Sequence, residues 1–268
     1  MGNIGNKVMA VAAACSLFAA CSAGDAAEPP YVMENIRRYE PGCSSGDDRV
    51  CASVQLGYPV FSDAESSRSL NSNVSDLLLD GFGSVDSLCN TFFGQWAGYR
   101  ETVFSDTLGH AHVDMSHDQE EDEYFPEVWY YSRTADVCGH GRGFVSLMFR
   151  TATNSTVYQY GRKYASLSLH DGRLLAPEDV FSDTSALRRV ISSEFMRSNG
   201  ISEGISLAEQ GVMLSDGLLP LTDDFAVCDT AVVFHYDMSE IAPNLLPDDD
   251  IRVPVGKIEP FLIPLNEN

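Results

Sequence analysis

The apolar residues of this chain change their spacing several times, and each change predicts a different kind of element. In "VCASVQLGYPVF" (residues 50–61) every second residue from Val50 to Leu56 is apolar, which is typical of a strand. The next segment, "LNSNVSDLLLDGF", places Leu70 and Val74 at helical spacing, and "VDSLCNTFFGQWAGY" continues as a second helix. This part of the chain therefore predicts one strand followed by two helices.

The period then returns to two. The segments "EVWYYSRTADV", "GFVSLMFRTAT" and "VYQYGRKYASLSLHDGRLL" predict successive antiparallel strands, the last closing on a turn at Asp171 and Gly172. Asp183 or Thr184 can cap a helix over residues 183–195, and the strand "AVVFHYD", the corner "MSEIAPN" and the short strand "IRVPV" follow. The pattern predicts an α+β fold in which an antiparallel sheet packs with helices, in two closely packed subdomains.

The N-terminus has the features of an export signal. One cation precedes the short apolar run "VMAVAAACSLFAA", which is too short to span a bilayer, and small residues stand before Cys21. This arrangement resembles a bacterial lipoprotein signal over residues 1–20, with lipid added at Cys21 and a tether over residues 21–42. A plain secretory signal that is cleaved a little later is the alternative. Either interpretation predicts an exported protein, and the first predicts anchoring to a bacterial membrane at the periplasm or the cell surface.

The charge balance narrows the choice of partners. The chain has 39 acidic and 17 basic residues, a formal net charge of −22. Loss of residues 1–20, whose only charged residue is Lys7, would make it −23. Nucleic acid is therefore excluded as a partner, and any contact with a membrane is expected through the lipid anchor. Two interpretations of the acidic surface stay open: it favours a cationic partner, or it only keeps the protein soluble.

Five cysteines follow Cys21, and an exported protein can keep disulfides. Cys43 and Cys51 are the predicted pair, because "CSSGDDRVC" contains a Gly-Asp turn between them. The pairing of Cys89, Cys138 and Cys228 stays open. No cysteine and histidine spacing typical of zinc occurs, so neither a metal nor a cofactor is predicted.

Three segments together resemble the paired domains of unknown function DUF4163 and DUF3298 of exported bacterial proteins. They are "VSLMF", "YASLSLHDGRLLAPEDVF" and, above all, "VVFHYDMSEIAPNLLPDDDIRVPVGKIEPFL" (residues 232–262). The resemblance implies a DUF4163-like portion over residues 43–165 and a DUF3298-like portion over residues 166–266. The sequence departs from the family between Arg150 and Tyr164, where "TATNSTVYQYGRK" stands in place of a Gly-Gly-Ala-His run.

The resemblance also implies a function. Similar domain pairs form the extracellular part of an anti-sigma factor that senses lysozyme, a cationic protein, by binding it. We therefore expect a lipid-anchored, non-enzymatic binding module of the cell envelope, with a lysozyme-like protein or peptidoglycan as partner. The alternative is an envelope hydrolase that acts on glycan or peptide with scattered carboxylates, such as Asp237 with Glu240.

The candidate binding residues lie in the C-terminal corner: Tyr236, Glu240, Asp248, Asp249 and Asp250. Tyr236 shares a strand face with Val232 and Phe234, so a structural role competes with a binding role. Glu240 is expected to satisfy turn amides rather than to act as an acid or base. The triple aspartate is expected to be a solvated turn, because the alternating oxygen ligands of a calcium loop are missing.

Two other patterns could suggest catalysis or metal binding. In "GHAHVDMSH" the side chains of His110, His112 and Asp114 would share a strand face, but no second cluster completes a metal site, so an exposed hairpin is expected. The run "GCSSG" matches the hydrolase pattern G-x-S-x-G, with Ser44 as nucleophile. Because no strand precedes it and no helix follows, we expect a chance match and assign no catalytic residue.

Overall fold

The computed structural model of the chain describes residues 29–43, 51–62, 67–109, 128–141, 143–155, 158–202, 204–214, 216–245 and 247–263. The proposed export signal, Cys21, Ser44 and the predicted hairpin at 110–117 lie outside these residues. No helix in the described ranges is long and apolar enough to cross a membrane.

A five-stranded sheet forms the first half of the fold. Its strands, in the spatial order β1-β2-β3-β4-β5, are β1 (Tyr31–Tyr39), β2 (Ser53–Phe61), β3 (Tyr130–Gly141), β4 (Phe144–Asn154) and β5 (Tyr158–Ser168). Neighbours are antiparallel except β2 and β3, which are parallel. Two parallel neighbouring strands need a long crossover connection between them. The first two helices lie in this connection.

These two helices, α1 (Ser67–Leu79) and α2 (Val85–Gly109), cover one face of the sheet. Both bury residues at the helical spacing that the sequence predicts, among them Leu70, Val74 and Leu78 of α1 and Phe92 and Trp96 of α2. The inward residues of β2, β4 and β5, including Leu56, Leu147 and Leu167, complete this core.

A three-stranded antiparallel sheet forms the second half, in the order β6-β7-β8. Its strands are β6 (Phe225–Val227), β7 (Ala231–His235) and β8 (Asp250–Pro254). The principal helix is α4 (Thr184–Ser198), preceded by α3 (Pro177–Val180); the single turns α5 (Met238–Ile241) and α6 (Val255–Ile258) flank β8. Asp183 caps α4, as predicted, by accepting a hydrogen bond from the amide of Ala186 at 2.8 Å.

The back of the large sheet meets the small sheet. Tyr164, Ala226 and Val233 are buried there, with Met148, Cys138 and Cys228 packed around them. The hydroxyl of Ser146 lies 2.8 Å from that of Ser166 and accepts a hydrogen bond from the amide of Val227 at 3.1 Å. The structure therefore confirms the α+β fold, with helices on the outer faces and two sheets in contact.

The turn at Asp171 and Gly172 is also confirmed. Gly172 has a φ of +76°, and a β-carbon at this position would lie 2.4 Å from the amide nitrogen of Leu70. Asn73 donates a hydrogen bond of 2.8 Å to the carbonyl of Gly172. Glycine therefore allows the turn after β5 to pack against the start of α1.

Strand β1 corrects the tether predicted over residues 21–42. Residues 31–39 pair with β2 along their whole length, from Tyr31 with Phe61 to Tyr39 with Ser53. The sequence did not predict this strand because most of its side chains are exposed on both faces, so no alternation of apolar residues marks it.

Candidate functional site

The C-terminal corner begins with Tyr236, which the structure places in the core. Its side chain is buried beside Phe234, and its hydroxyl donates a hydrogen bond to the carbonyl of Pro220 at 2.8 Å. Burial raises the pKa of Tyr236. Because the ring and the hydroxyl are both engaged inside the protein, Tyr236 supports the corner and offers no binding surface.

The amides of the corner are satisfied by aspartates rather than by Glu240. Asp237 precedes α5 and accepts hydrogen bonds from the amide and the hydroxyl of Ser239, at 3.1 and 2.5 Å. These hydrogen bonds lower the pKa of Asp237. Asp249 accepts from the amide of Met238 at 3.2 Å. Glu240 itself is exposed.

Asp250 is the centre of a polar network that spans the two sheets. Arg162 donates a hydrogen bond of 2.6 Å and the hydroxyl of Tyr164 one of 2.7 Å to the same carboxylate oxygen, Oδ2. Nδ1 of His235 lies 2.8 Å from the other oxygen, and Arg252 contacts Oδ2 at 3.4 Å. Arg162 and Tyr164 belong to β5, whereas His235 and Arg252 belong to β7 and β8, so one carboxylate joins both sheets.

The pKa directions of the network agree with this geometry. Burial by itself would raise the pKa of Asp250, but hydrogen bonds with His235 and Tyr164 and the charge of Arg162 outweigh it, and the pKa is lowered. Burial would likewise lower the pKa of His235, yet the hydrogen bond with Asp250 and the nearby carboxylates raise it. The network therefore favours an ionised carboxylate beside a protonated imidazole.

The triple aspartate is a solvated turn only in part. The side chain of Asp250 is 0% exposed, whereas that of Asp248 is 66% exposed. Asp248 accepts hydrogen bonds from Arg162 at 3.1 Å and from the amide of Asp250 at 3.0 Å. All three aspartates thus have partners within the fold, and Asp248 and Asp250 share Arg162. Among the predicted binding residues, Asp248 and Glu240 are the exposed ones.

A groove of about 830 Å³ lies beside this network, on the face of the large sheet that carries α1 and α2. Its floor consists of laterally paired residues on β3, β4 and β5, in two rows: Tyr131, Thr153 and Gln159, then Arg133, Thr151 and Gly161. Asp80 and Phe82 form one wall, and Lys163, Arg162 and Asp224 lie toward the β5 edge. The groove is open above Gly161, where a β-carbon would have no neighbour within 4 Å.

Charges inside the groove are locally balanced. Arg133 is buried and donates hydrogen bonds to Asp80 at 2.7 Å and to the carbonyl of Leu77 at 3.0 Å. Its Nε has no hydrogen-bond partner among the described residues. At the other end, burial raises the pKa of Asp224, which accepts a hydrogen bond from the amide of Tyr164 at 2.5 Å. Hydroxyl, amide and aromatic groups therefore line a groove that is far less acidic than the whole protein.

The predicted disulfide between Cys43 and Cys51 is present, with 6.1 Å between the α-carbons. Glu40 lies beside it and accepts hydrogen bonds from Arg100 at 2.9 Å and from the amide of Ala52 at 3.3 Å. The disulfide therefore belongs to the connection between β1 and β2. Because both sulfur atoms are in the bond, the cluster of Glu40 with these cysteines is not available to a metal.

The Asp250 network generates the first prediction. Asp250→Asn should lower the free energy of unfolding by about 3 kcal/mol, because it leaves Arg162 without its buried counter-charge. The matched control is Asp248→Asn, two residues earlier in the same turn and exposed, which should cost less than about 1 kcal/mol. Urea unfolding followed by tryptophan fluorescence measures both values. Equal losses would show that Asp250 has no special role in joining the sheets.

Comparisons with known proteins identify the fold. No protein-family model matches the chain, and no curated protein matches its sequence. Two solved structures of DUF3298 family proteins are similar. The one from Pseudomonas aeruginosa has a TM-score of 0.57 at 16% identity and covers 88% of this chain and 95% of its own. The one from Bacteroides fragilis has a TM-score of 0.60 at 15% identity and covers 88% of this chain and 94% of its own. This chain therefore has the fold of DUF3298 family proteins.

Proposed function

We propose that the protein is an exported, lipid-anchored and non-enzymatic binding module of the cell envelope, and that its partner is a cationic protein of the lysozyme type. One observation carries the proposal. The chain has a formal net charge of −22, and many of its few cations are already engaged in ion pairs within the fold. The paired cations are Arg100, Arg133, Arg150, Arg162, Arg173, Arg188, Arg197, Arg252 and Lys257.

Because these cations are paired, the excess carboxylates dominate the electrostatic field outside the protein. A field of one sign attracts a partner of the opposite sign and increases the rate of encounter. The sequence resemblance to the lysozyme-sensing domain pair adds support, because it rests on the C-terminal half, where Glu240 and Asp248 are exposed. We therefore assign the contact surface to this corner.

The alternative of an envelope hydrolase receives less support from the same corner. A hydrolase of this kind needs a carboxylic acid that holds a proton and a second carboxylate that stays ionised. Asp237 is committed to the end of α5, and the hydrogen bonds from Ser239 lower its pKa. Asp237 is thus a poor general acid beside Glu240, and we favour binding without catalysis.

The second prediction tests binding to a cationic protein. Isothermal titration calorimetry should show that lysozyme binds at least about tenfold more tightly than cytochrome c, a basic protein of different shape. Binding of lysozyme should weaken as salt rises to physiological levels, where the Debye length is about 8 Å. Glu240→Gln combined with Asp248→Asn should raise the Kd about fivefold, since rim charges are each worth a fraction of a kcal/mol.

The control double variant is Asp86→Asn with Glu101→Gln, which removes two exposed charges from α2. It should change the Kd less than about twofold, because exposed charges act mainly within a Debye length of the contact. If both double variants weaken binding equally, the contact surface is not the C-terminal corner. Equal affinity for lysozyme and cytochrome c would contradict the proposed partner.

A cell-wall saccharide is a second candidate ligand, and the groove favours it. The floor presents hydroxyl and amide groups of Thr151, Thr153 and Gln159, and the rings of Tyr131 and Phe82 line the same groove. Saccharides are bound by such combinations, because their hydroxyls need hydrogen-bond partners while their rings present apolar faces. The open space above Gly161 gives room for a sugar ring on the sheet.

The third prediction tests this groove. Gly161→Val should abolish binding of a soluble N-acetylated cell-wall oligosaccharide, because the new side chain fills open space above the floor without meeting another atom within 4 Å at its β-carbon. Gly98→Val, at an exposed position of α2, should bind as the unchanged protein does. Calorimetry measures both, and a thermal melt verifies that each variant is folded. Retained binding in Gly161→Val would exclude the groove as the site.

The fourth prediction concerns the lipid anchor. Cells supplied with a labelled fatty acid should incorporate label into the protein, and Cys21→Ala should lose both the label and the membrane fraction. Cys15→Ala is the matched control, since this cysteine lies inside the apolar run that cleavage removes, and it should keep the label. Labelling that survives in Cys21→Ala would contradict the lipoprotein assignment. The plain secretory signal would then be the interpretation that is left.

A further inference from the structure

Two cysteines from the two sheets meet at the contact between them. Cys138 lies in β3 and Cys228 directly follows β6. Both pack against the small apolar cluster of Tyr164, Ala226 and Val233. In sequence they are 90 residues apart, and both stand as thiols in the structure. The third thiol, Cys89, is buried on the opposite, helix-covered face of the large sheet.

Cys138 faces the small sheet and lies at an irregularity in β3. The pairing with β4 goes from Val137 with Leu147 directly to Gly139 with Ser146, so Cys138 is the extra residue of a β-bulge. Val137 packs on the helix side of the sheet, whereas Cys138 packs on the back. Because successive side chains of a strand point to opposite faces, the Cys138 thiol lies on the face that receives β6.

The backbones are in contact beside this bulge. A β-carbon on Gly139 would lie 2.7 Å from the α-carbon of Cys228 and 2.3 Å from the carbonyl oxygen of Val227. Adjacent α-carbons of a chain are about 3.8 Å apart, so Cys138 lies within one residue of this contact. The α-carbons of Cys138 and Cys228 are therefore no more than about 8 Å apart. This upper bound is close to the separation of about 4.4 to 6.8 Å that a disulfide needs.

Hydrogen bonds fix both partners in place. The hydroxyl of Ser146 accepts from the amide of Val227 at 3.1 Å, one residue before Cys228. The amide of Cys228 donates to the carbonyl of Ala231 at 3.0 Å, and the thiol of Cys138 lies 3.5 Å from the carbonyl of Ser146. The two thiols therefore approach each other from backbones that hydrogen bonds hold in place.

We propose that Cys138 and Cys228 form a second disulfide in the mature protein, which joins the two sheets covalently. The oxidant is the disulfide of a thiol–disulfide oxidoreductase. The Cys228 thiolate attacks one sulfur of the oxidant and forms a mixed disulfide. The Cys138 thiolate then attacks Sγ of Cys228 and releases the oxidant as a dithiol. Two electrons pass to the oxidant, and the two protons lost by the thiols balance those that it gains.

The order of attack follows from the surroundings of the two thiols. A hydrogen bond with Cys138 and the charge of Arg252 help to lower the pKa of Cys228, despite its burial. The same hydrogen bond, with burial, raises the pKa of Cys138. Cys228 is therefore the thiol that ionises first and reacts with the oxidant.

Formation of this disulfide in the cell rests on the proposed export, because reduced thiols persist in the cytosol. The pairing itself is tested without that assumption. Full-length protein is reduced, exposed to oxidised glutathione, alkylated in denaturant and digested for mass spectrometry. We expect a cross-linked peptide pair containing Cys138 and Cys228, and alkylated Cys89. The pair Cys43 and Cys51, which should re-form, is the internal positive control.

The variants make the assignment specific. Cys138→Ser should leave Cys228 alkylated, and Cys228→Ser should leave Cys138 alkylated, whereas Cys89→Ser should change neither cross-link. If Cys138 and Cys228 are both alkylated while Cys43 and Cys51 have paired, the proposal is wrong. A pair that forms with glutathione but not in cells would instead contradict export.

The thermal midpoint supplies a second measurement. A disulfide that closes a loop of this length should raise the midpoint by about 10 °C. Reductant should therefore lower the thermal midpoint of the unchanged protein. It should lower the midpoint of the double variant Cys138→Ala/Cys228→Ala by less, because this variant keeps only the disulfide between Cys43 and Cys51. Equal shifts in the two proteins would show that no second disulfide stabilises the fold.

Discussion

The contact between Asp250 and Arg162 holds together two sheets that share little apolar surface. Each half has its own large core, whereas the apolar cluster where the halves meet has, among the described residues, three buried members: Tyr164, Ala226 and Val233. Apolar burial alone would fix the relative position of two such sheets weakly, because it is not directional. A carboxylate that accepts bonds from β5 and from β7 and β8 is directional, so it sets the orientation of the small sheet.

The contact between Asp250 and Arg162 also lies between two surfaces that differ in charge, the groove and the outer C-terminal corner. One oxygen of Asp250 neutralises Arg162 at the end of the groove, and Asp248 shares that arginine from the outside. The groove is thereby kept close to charge balance, while the outer corner with Glu240 stays acidic. A single arginine thus takes part in the saccharide-binding and the protein-binding hypotheses at once.

The sequence predicts the parts of the fold whose two faces differ. Strands β3 to β5, helices α1 and α2 and the cap at Asp183 follow from periodicity and local chemistry, because one side of each element is buried. Strand β1 has no such asymmetry, and only its pairing with β2 defines it. A local sequence pattern cannot reveal a strand that is stabilised mainly by hydrogen bonds with the backbone of the neighbouring strand.

The site is less accessible to sequence reasoning than the fold. Three consecutive aspartates suggest one solvated turn, yet β8 begins at Asp250 and turns it inward, toward partners far away in the chain. The residues of the groove floor lie on three different strands, and the pairing register of β3, β4 and β5 makes them neighbours. One signal was available: Arg162 and Tyr164, two residues apart, share a strand face, and a cation on a covered face requires a carboxylate.

Strand β1 changes how far this protein could stand from a membrane. A tether that ran from Cys21 to Cys43 could extend to about 75 Å, whereas the stretch from Cys21 to the start of β1 at Tyr31 is ten residues and spans at most about 35 Å. With lipid on Cys21, the folded body would remain within roughly its own diameter of the bilayer. It would meet partners close to the membrane surface and could not reach across a thick cell wall.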